Sequence, residues 1–413
     1  MVEAPSTMLE AMLARAFSDR GIRFHESADE SVFLSYRQLN EDARHNAVRL
    51  LQYGVRRGDR VVLAYDAGIE FVRAVYACFY AGAVVVPVPL PGARPSDAAR
   101  EQVLRIHHDS GARLLLTTPG VRERLAGDLP PWQCLSEAQD SELAAGWHEP
   151  ATTADDVAIL QYTSGSTGSP KGVTITHRNL VANQQAIQTS VRYDQDTVMC
   201  GWLPHYHDMG LIGQYLQAIY TGFGLVVTSP FQFLRRPVLW LQLISRYRAT
   251  TTVAPDFAYR LCAKLVTDEQ LADLDLSSLV TAATGAEPVH ASTLQRFAER
   301  FSSAGFDGGA FKPAYGMAES TLLISVKRTG EPCVPLLLDA RELEAGRAVR
   351  ARSGVPSLAV VSCGPPVHSQ ELLVVHPDSG ASLAEGMVGE LWVRGPSVSV
   401  GYCLLYTSDA ADE

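Results

Sequence analysis

Paired cysteines are missing from this sequence. Its seven cysteines stand at 78, 134, 200, 262, 333, 363 and 403, with no CxxC spacing and an odd count. That scatter argues against a disulfide framework or a structural zinc site. Long apolar runs are missing too: no stretch approaches the roughly 18 residues of a membrane span. The opening residues, MVEAPSTMLEAMLARAFSD, lack the basic start and unbroken apolar core of a signal peptide. Blocks of one charge are absent, and the net charge is −10, whereas a general nucleic-acid binder would be basic. No internal repeat is found. A cytoplasmic enzyme is the expectation these absences leave.

What is present is 413 residues with 46% apolar and 19% charged content, a globular composition large enough for more than one lobe. Short β-branched runs alternate with longer amphipathic stretches. Residues 60–65 (RVVLAY), 83–88 (AVVVPV), 114–118 (LLLTT), 158–163 (AILQYT), 225–228 and 250–254 read as strands. Residues 68–81, 177–190 and 236–247 read as helices. Strand–helix alternation predicts an α/β fold with mostly parallel sheets, whose ligands sit beyond the strand C-termini. The polar stretch 130–156 reads as a connection between lobes. Residues 327–356, rich in Arg, Glu and Pro, break the rhythm. They read either as an insertion or as an ordinary surface loop.

Residues 162–172 (YTSGSTGSPKG) carry the strongest chemical signal. Gly165, Gly168 and Gly172 allow close backbone approach to a ligand. Thr163, Ser164, Ser166 and Thr167 supply neutral hydroxyls, successive N–H groups can form an anion nest, and Lys171 adds a cation. Together these parts suit a polyphosphate. The loop is not a Walker A motif, because Pro170 precedes the lysine and no hydroxyl residue follows it. A flexible Ser/Gly linker is the bland alternative. Against it stand a predicted strand before the loop and a predicted helix after it.

Three further segments follow. Residues 202–213 read WLPHYHDMGLIG. In it, the pair His205 and His207 can be read as metal ligands, as satisfied structural histidines, or as donors to an anion. The others are 284–288 (TGAEP), after an apolar run at 279–284, and 314–321 (AYGMAEST).

With these segments in view, the chain resembles the ANL superfamily of adenylate-forming enzymes, and within it the fatty acyl-AMP ligases, over roughly residues 8–402. The resemblance implies two αβ subdomains of mostly parallel sheet plus a smaller β-rich subdomain. It implies ATP and Mg2+ as cofactors and a fatty acid as substrate. The product would pass to an acyl carrier protein or to a carrier domain of a polyketide or nonribosomal peptide synthase. By the same resemblance Thr163, Ser164, Gly165, Ser166, Thr167, Gly168 and Lys171 cradle pyrophosphate. His207 lies near the acyl carboxylate and α-phosphate. Gly285, Ala286 and Glu287 line the adenine pocket. Tyr315 stacks on the base beside Gly316 and Met317, and Glu319 holds magnesium. His207, Lys171 and Glu319 form the implied catalytic set. An insertion at 327–356 is a feature of these ligases, in which it is thought to disfavour transfer to coenzyme A.

Alternatives stay open at this point: an acyl-CoA synthetase, an amino-acid adenylation domain, or an inactive nucleotide- or acyl-binding fragment. Asp208 stands near the position where amino-acid-activating relatives place an aspartate for the substrate amine. Residues 389–402 resemble the end of the family's large domain and read structurally, or as a plain β-hairpin. After Tyr402 the resemblance stops, so residues 1–402 are expected to form the adenylate-forming domain. The last residues, CLLYTSDAADE at 403–413, read as a non-native tail. The family's ribose-binding aspartate and small C-terminal domain are not found there, a loss expected to weaken ATP binding and slow turnover.

Overall fold

The computed structural model of the chain describes residues 4–90, 97–125, 127–135, 141–163 and 171–403. The predicted apolar runs become parallel strands. Arg60–Ala64 pairs with Val84–Pro87 on one side and Leu114–Thr117 on the other. Successive side chains on a strand face opposite ways. Val61, Leu63 and Val85 therefore enter one core, while Val62, Ala64 and Val86 enter another. Both faces are covered, which is why these runs show no polar alternation.

Two large sheets result. The first has six strands in the order Trp132–Gln133, Leu114–Thr117, Arg60–Ala64, Val84–Pro87, Val157–Thr163, Lys171–Thr176. The second has eight, in the order Leu323–Val326, Phe311–Gly316, Thr281–Thr284, Thr251–Ala254, Val198–Gly201, Gly224–Thr228, Gly21–His25, Ser31–Ser35. Each is parallel inside, with an antiparallel strand at an edge. One continuous core joins Val61 and Ile159 of the first sheet to Ile22, Met199 and Leu225 of the second. The helices Tyr36–Gln52, Ile69–Tyr80 and His177–Val191 contribute to it. The smaller β-rich part pairs Leu336–Asp339 with Ser357–Val360 and Glu371–Val375 with Glu390–Arg394, both antiparallel. Among the described residues no helix is long and apolar enough to cross a membrane.

Three expectations change. The stretch 130–156 does not connect lobes. It leads from Leu114–Thr117 through the edge strand Trp132–Gln133 back to Val157–Thr163 of the same sheet. A helix does not follow the glycine-rich loop directly. Lys171–Thr176 is a strand antiparallel to Val157–Thr163, and the helix begins only at His177. The alternating sequence KGVTIT favours that strand, and Thr176 then caps the helix by accepting from Asn179 N–H. Residues 327–356 hold the strand Leu336–Asp339 and the helix Ala340–Glu344, largely exposed.

Candidate active site

The site forms where parallel strands of the eight-stranded sheet end, facing the end of Val157–Thr163. There a cavity of about 410 Å3 is lined by Thr163, His207, Gly285, Ala286, Tyr315, Gly316, Met317 and Glu319 among others. Residues chosen from four separate segments thus share one cavity. Ser164, Gly165, Ser166, Thr167 and Gly168 lie outside the described residues. Lys171 and Glu287 do not line the cavity.

Local structure explains each placement. Strand Thr281–Thr284 ends in a turn where Ala286 has φ 65°. A Cβ on Gly285 would stand 2.8 Å from the carbonyl oxygen of Ala314, so only glycine lets this turn lie against the neighbouring strand. Glu287 points elsewhere than the adenine-pocket expectation. Its Oε1 accepts from Phe257 N–H at 2.6 Å, capping the helix Asp256–Leu265. The register between Phe311–Gly316 and Leu323–Val326 shifts between Tyr315 and Gly316. Such bulges redirect side chains beside active sites. A Cβ on Gly316 would meet Leu322 O at 1.9 Å, which ties that close crossing to glycine.

Beyond the bulge a 3-10 turn, Ala318–Ser320, carries Glu319. Thr321 follows with φ 69° and ψ −59°, and Leu322 N–H donates to Ser320 O at 2.8 Å. This is the rarer, strained form of γ-turn, held by Thr321 Oγ1 donating to Ser397 O at 2.6 Å. The helix His177–Val191 fixes the same loop. Asn183 Nδ2 donates to Leu323 O at 3.0 Å and to Ser320 O at 3.3 Å, while its Oδ1 accepts from Leu323 N–H at 3.2 Å.

The two histidines separate completely. His205 is buried, and its Nε2–H donates to Tyr65 O at 2.9 Å. Burial lowers its pKa to about 4, so it is a neutral packing group set edge-on to Phe71. That geometry turns it away from any shared ligand set with His207. The His207 ring is half-exposed at the cavity, with Nδ1 2.7 Å from Asp208 Oδ1. Burial opposes its charge, but the hydrogen bond and negative charge of Asp208 outweigh burial and raise the pKa above the usual 6.5. Asp208 Oδ1 also accepts Met209 N–H at 2.6 Å. Nδ1 is thereby occupied by Asp208 and, at 3.2 Å, by Met209 N–H, and Nε2 remains for a ligand.

Sequence reasoning missed several participants. Among the described residues Thr284 Oγ1 is buried without a partner, in a residue that lines the cavity. Tyr402, beyond the segments read as chemical, donates its hydroxyl to Glu319 Oε1 at 2.7 Å. Lys171 stands over the same ring, its Nζ 5.4 Å from the centroid. Residues 389–402 are not a plain hairpin: Glu390–Arg394 pairs with Glu371–Val375, and the chain then runs on to Tyr402, which bridges to Val173. The cavity's lining also includes apolar side chains, Ile187, Val191, Val253, Leu323 and Val326 among them.

Comparison with known proteins places the chain in a family. A profile of the family described as AMP-binding enzyme matches residues 14–403. The chain is 38% identical over 412 residues to the medium-chain-fatty-acid–[acyl-carrier-protein] ligase JamA of Moorena producens, covering 96% of this chain and 69% of that protein. It is 37% identical to the corresponding ligase TtuA of Teredinibacter turnerae, covering 89% of this chain and 64% of the relative. The chain thus spans about two thirds of the length of these relatives. Among solved structures, a fatty acyl-adenylate ligase from L. pneumophila, in complex with acyl adenylate and pyrophosphate, superposes with a TM-score of 0.91 at 34% identity. That match covers 96% of this chain and 70% of the other. On the family match and these identities, the chain belongs to the AMP-binding enzymes of the ANL superfamily of adenylate-forming proteins.

Proposed function

We propose that the chain activates a fatty acid with ATP, forming the acyl-adenylate and releasing pyrophosphate, for delivery to the phosphopantetheine arm of an acyl carrier protein or carrier domain in the cytoplasm. The observation that carries this reading is the mixed lining of the cavity. Thr163, His207, Thr284 and Glu319 share it with the apolar side chains of Ile187, Val191, Val253 and Val326. A fatty carboxylate needs both kinds of lining: a polar group at the reacting atoms and a dry path for its chain. Asp208, the group an amino-acid substrate would need for its amine, is already engaged by His207 and Met209 N–H.

The reaction joins a carboxylate oxygen to the α-phosphorus and expels pyrophosphate. Positioning and charge stabilisation supply most of the catalysis in such transfers. His207, whose protonated form Asp208 favours, donates through Nε2 to the incoming carboxylate or the α-phosphoryl oxygen. Gly285 and Ala286 form a close-packed backbone wall, and Tyr315 offers a ring face for the base. Thr163 and Lys171 flank residues 164–170, which we assign to the pyrophosphate. Glu319 fits magnesium: it is a carboxylate at the cavity whose side chain accepts from the neutral Tyr402 phenol and makes no ion pair among the described residues. Magnesium prefers carboxylate and phosphate oxygens and when bound would neutralise the phosphate charge.

Stable acyl-adenylate mimics test the reading without requiring turnover. Octanoyl-sulfamoyl adenosine should bind in calorimetry at least tenfold more tightly than a phenylalanyl counterpart. Equal affinities, or a preference for the aminoacyl compound, would overturn the fatty-acid assignment.

A further inference from the structure

Residues 395–403 bind back to the site at several points. Asn179 Nδ2 donates to Pro396 O at 2.8 Å and Val398 O at 2.9 Å. Ser399 N–H donates to Glu319 O at 2.8 Å. Thr174 N–H donates to Gly401 O at 2.8 Å, and Cys403 N–H to Gly172 O at 2.6 Å. The backbone around Tyr402 is therefore anchored to the strand bearing Lys171 and to the turn bearing Glu319. Its side chain lies between the two charges, with the hydroxyl on Glu319 Oε1 and the ring beneath Lys171 Nζ.

This arrangement answers a problem of the site. Lys171 and Glu319 both touch the one Tyr402 side chain, so without it a lysine and a glutamate that serve a nucleotide would be free to pair with each other. An incoming ligand would have to break such a pair before either group could serve it. Among the described residues neither Lys171 nor Glu319 makes an ion pair. A phenol can orient a carboxylate without neutralising it, and a ring face can seat an ammonium without discharging it. We propose that Tyr402 is a positioning residue of the magnesium–nucleotide site, holding Glu319 for the metal while keeping Lys171 apart from it. The inference rests on the ATP and magnesium reading above. Hydrogen-bonding partners of metal-binding carboxylates commonly govern metal affinity by about 10- to 100-fold when removed.

Calorimetric titration of ATP into the chain across a Mg2+ series tests it, with far-UV circular dichroism checking the fold of each variant. Tyr402→Phe keeps the ring and loses the hydroxyl. It should need about tenfold more Mg2+ for half-maximal enhancement of ATP binding, with Mg2+-free ATP affinity unchanged. In a Glu319→Gln background the same change should add nothing, because the hydroxyl acts through that carboxylate. A wild-type response to Mg2+ that Tyr402→Phe leaves intact, or a shift that persists in Glu319→Gln, overturns the proposal alone. A wild-type chain whose ATP affinity ignores Mg2+ overturns the underlying reading and the proposal together.

Discussion

His205 and His207 stand two residues apart and are driven in opposite directions. Burial against Phe71, with its Nε2–H given to a carbonyl, holds His205 neutral. Asp208 pushes the His207 pKa up against the same tendency. Asp208→Asn should therefore bring the His207 pKa down to 6.5 or lower, since burial is then opposed only by a neutral partner. Imidazole proton shifts followed by NMR across pH read this directly, and an unmoved pKa would remove Asp208 as the cause. The sign for stability follows from linkage. A histidine whose pKa is raised on folding contributes stability that is complete below its unfolded value near 6.5 and is lost as pH rises through the folded value. Wild type should lose that increment on alkalinisation, and Asp208→Asn should lack it. The ring is half-exposed, so solvent screens the pair and keeps the increment small.

At the scale of elements, the helix His177–Val191 does more than cover a sheet. Asn179 and Asn183 lie one turn apart on the same face. The first holds residues 396 and 398, and the second holds the loop after Glu319. Asn183→Ala would leave buried Ser320 and Leu323 backbone groups without these partners, at about 1–3 kcal/mol for an unsatisfied group. A loss of unfolding free energy of that size, read as a lower urea midpoint at unchanged m, is expected, and a midpoint equal to wild type would show that the loop finds other partners. The sequence carried little trace of this role, because each bond joins residues more than 130 positions apart. The strands were legible for the opposite reason: runs such as RVVLA and LLLT declare doubly buried strands locally. The cavity segments were legible through motif resemblance, which placed Tyr315 and His207 without any periodicity. Tyr402 and the γ-turn at Thr321 depend on tertiary hydrogen bonds and were not. Trp132–Gln133 is too short to register as a strand, so the connection around it read as an inter-lobe linker.

At the scale of the whole molecule, burial is distributed unevenly along the chain. The three apolar cores draw on the six- and eight-stranded sheets and their helices, while past residue 327 few residues join them, among them Val367 in the shared core. Strand Ser357–Val360 is exposed at every position, and Leu373, Leu391 and Trp392 are exposed on the other two-stranded sheet. Two-stranded sheets without a packed face are marginal by themselves. Local opening free energies should fall accordingly, from the global value in the large sheets towards zero in the small ones. Hydrogen exchange read by mass spectrometry should show amides of Ser357–Val360 and Glu390–Arg394 exchanging orders of magnitude faster than those of Arg60–Ala64 or Val198–Gly201. Residues 396–402 should behave differently from the small sheets that precede them, because Asn179, Thr321, Thr174 and Glu319 bind their backbone to the large-sheet framework. Protection of that segment should rise further with Mg2+ and ATP, while that of Ser357–Val360 stays unchanged. Equal, slow exchange throughout would mean that the β-rich part folds as one unit with the large sheets, and that the anchoring around Glu319 is not a local device.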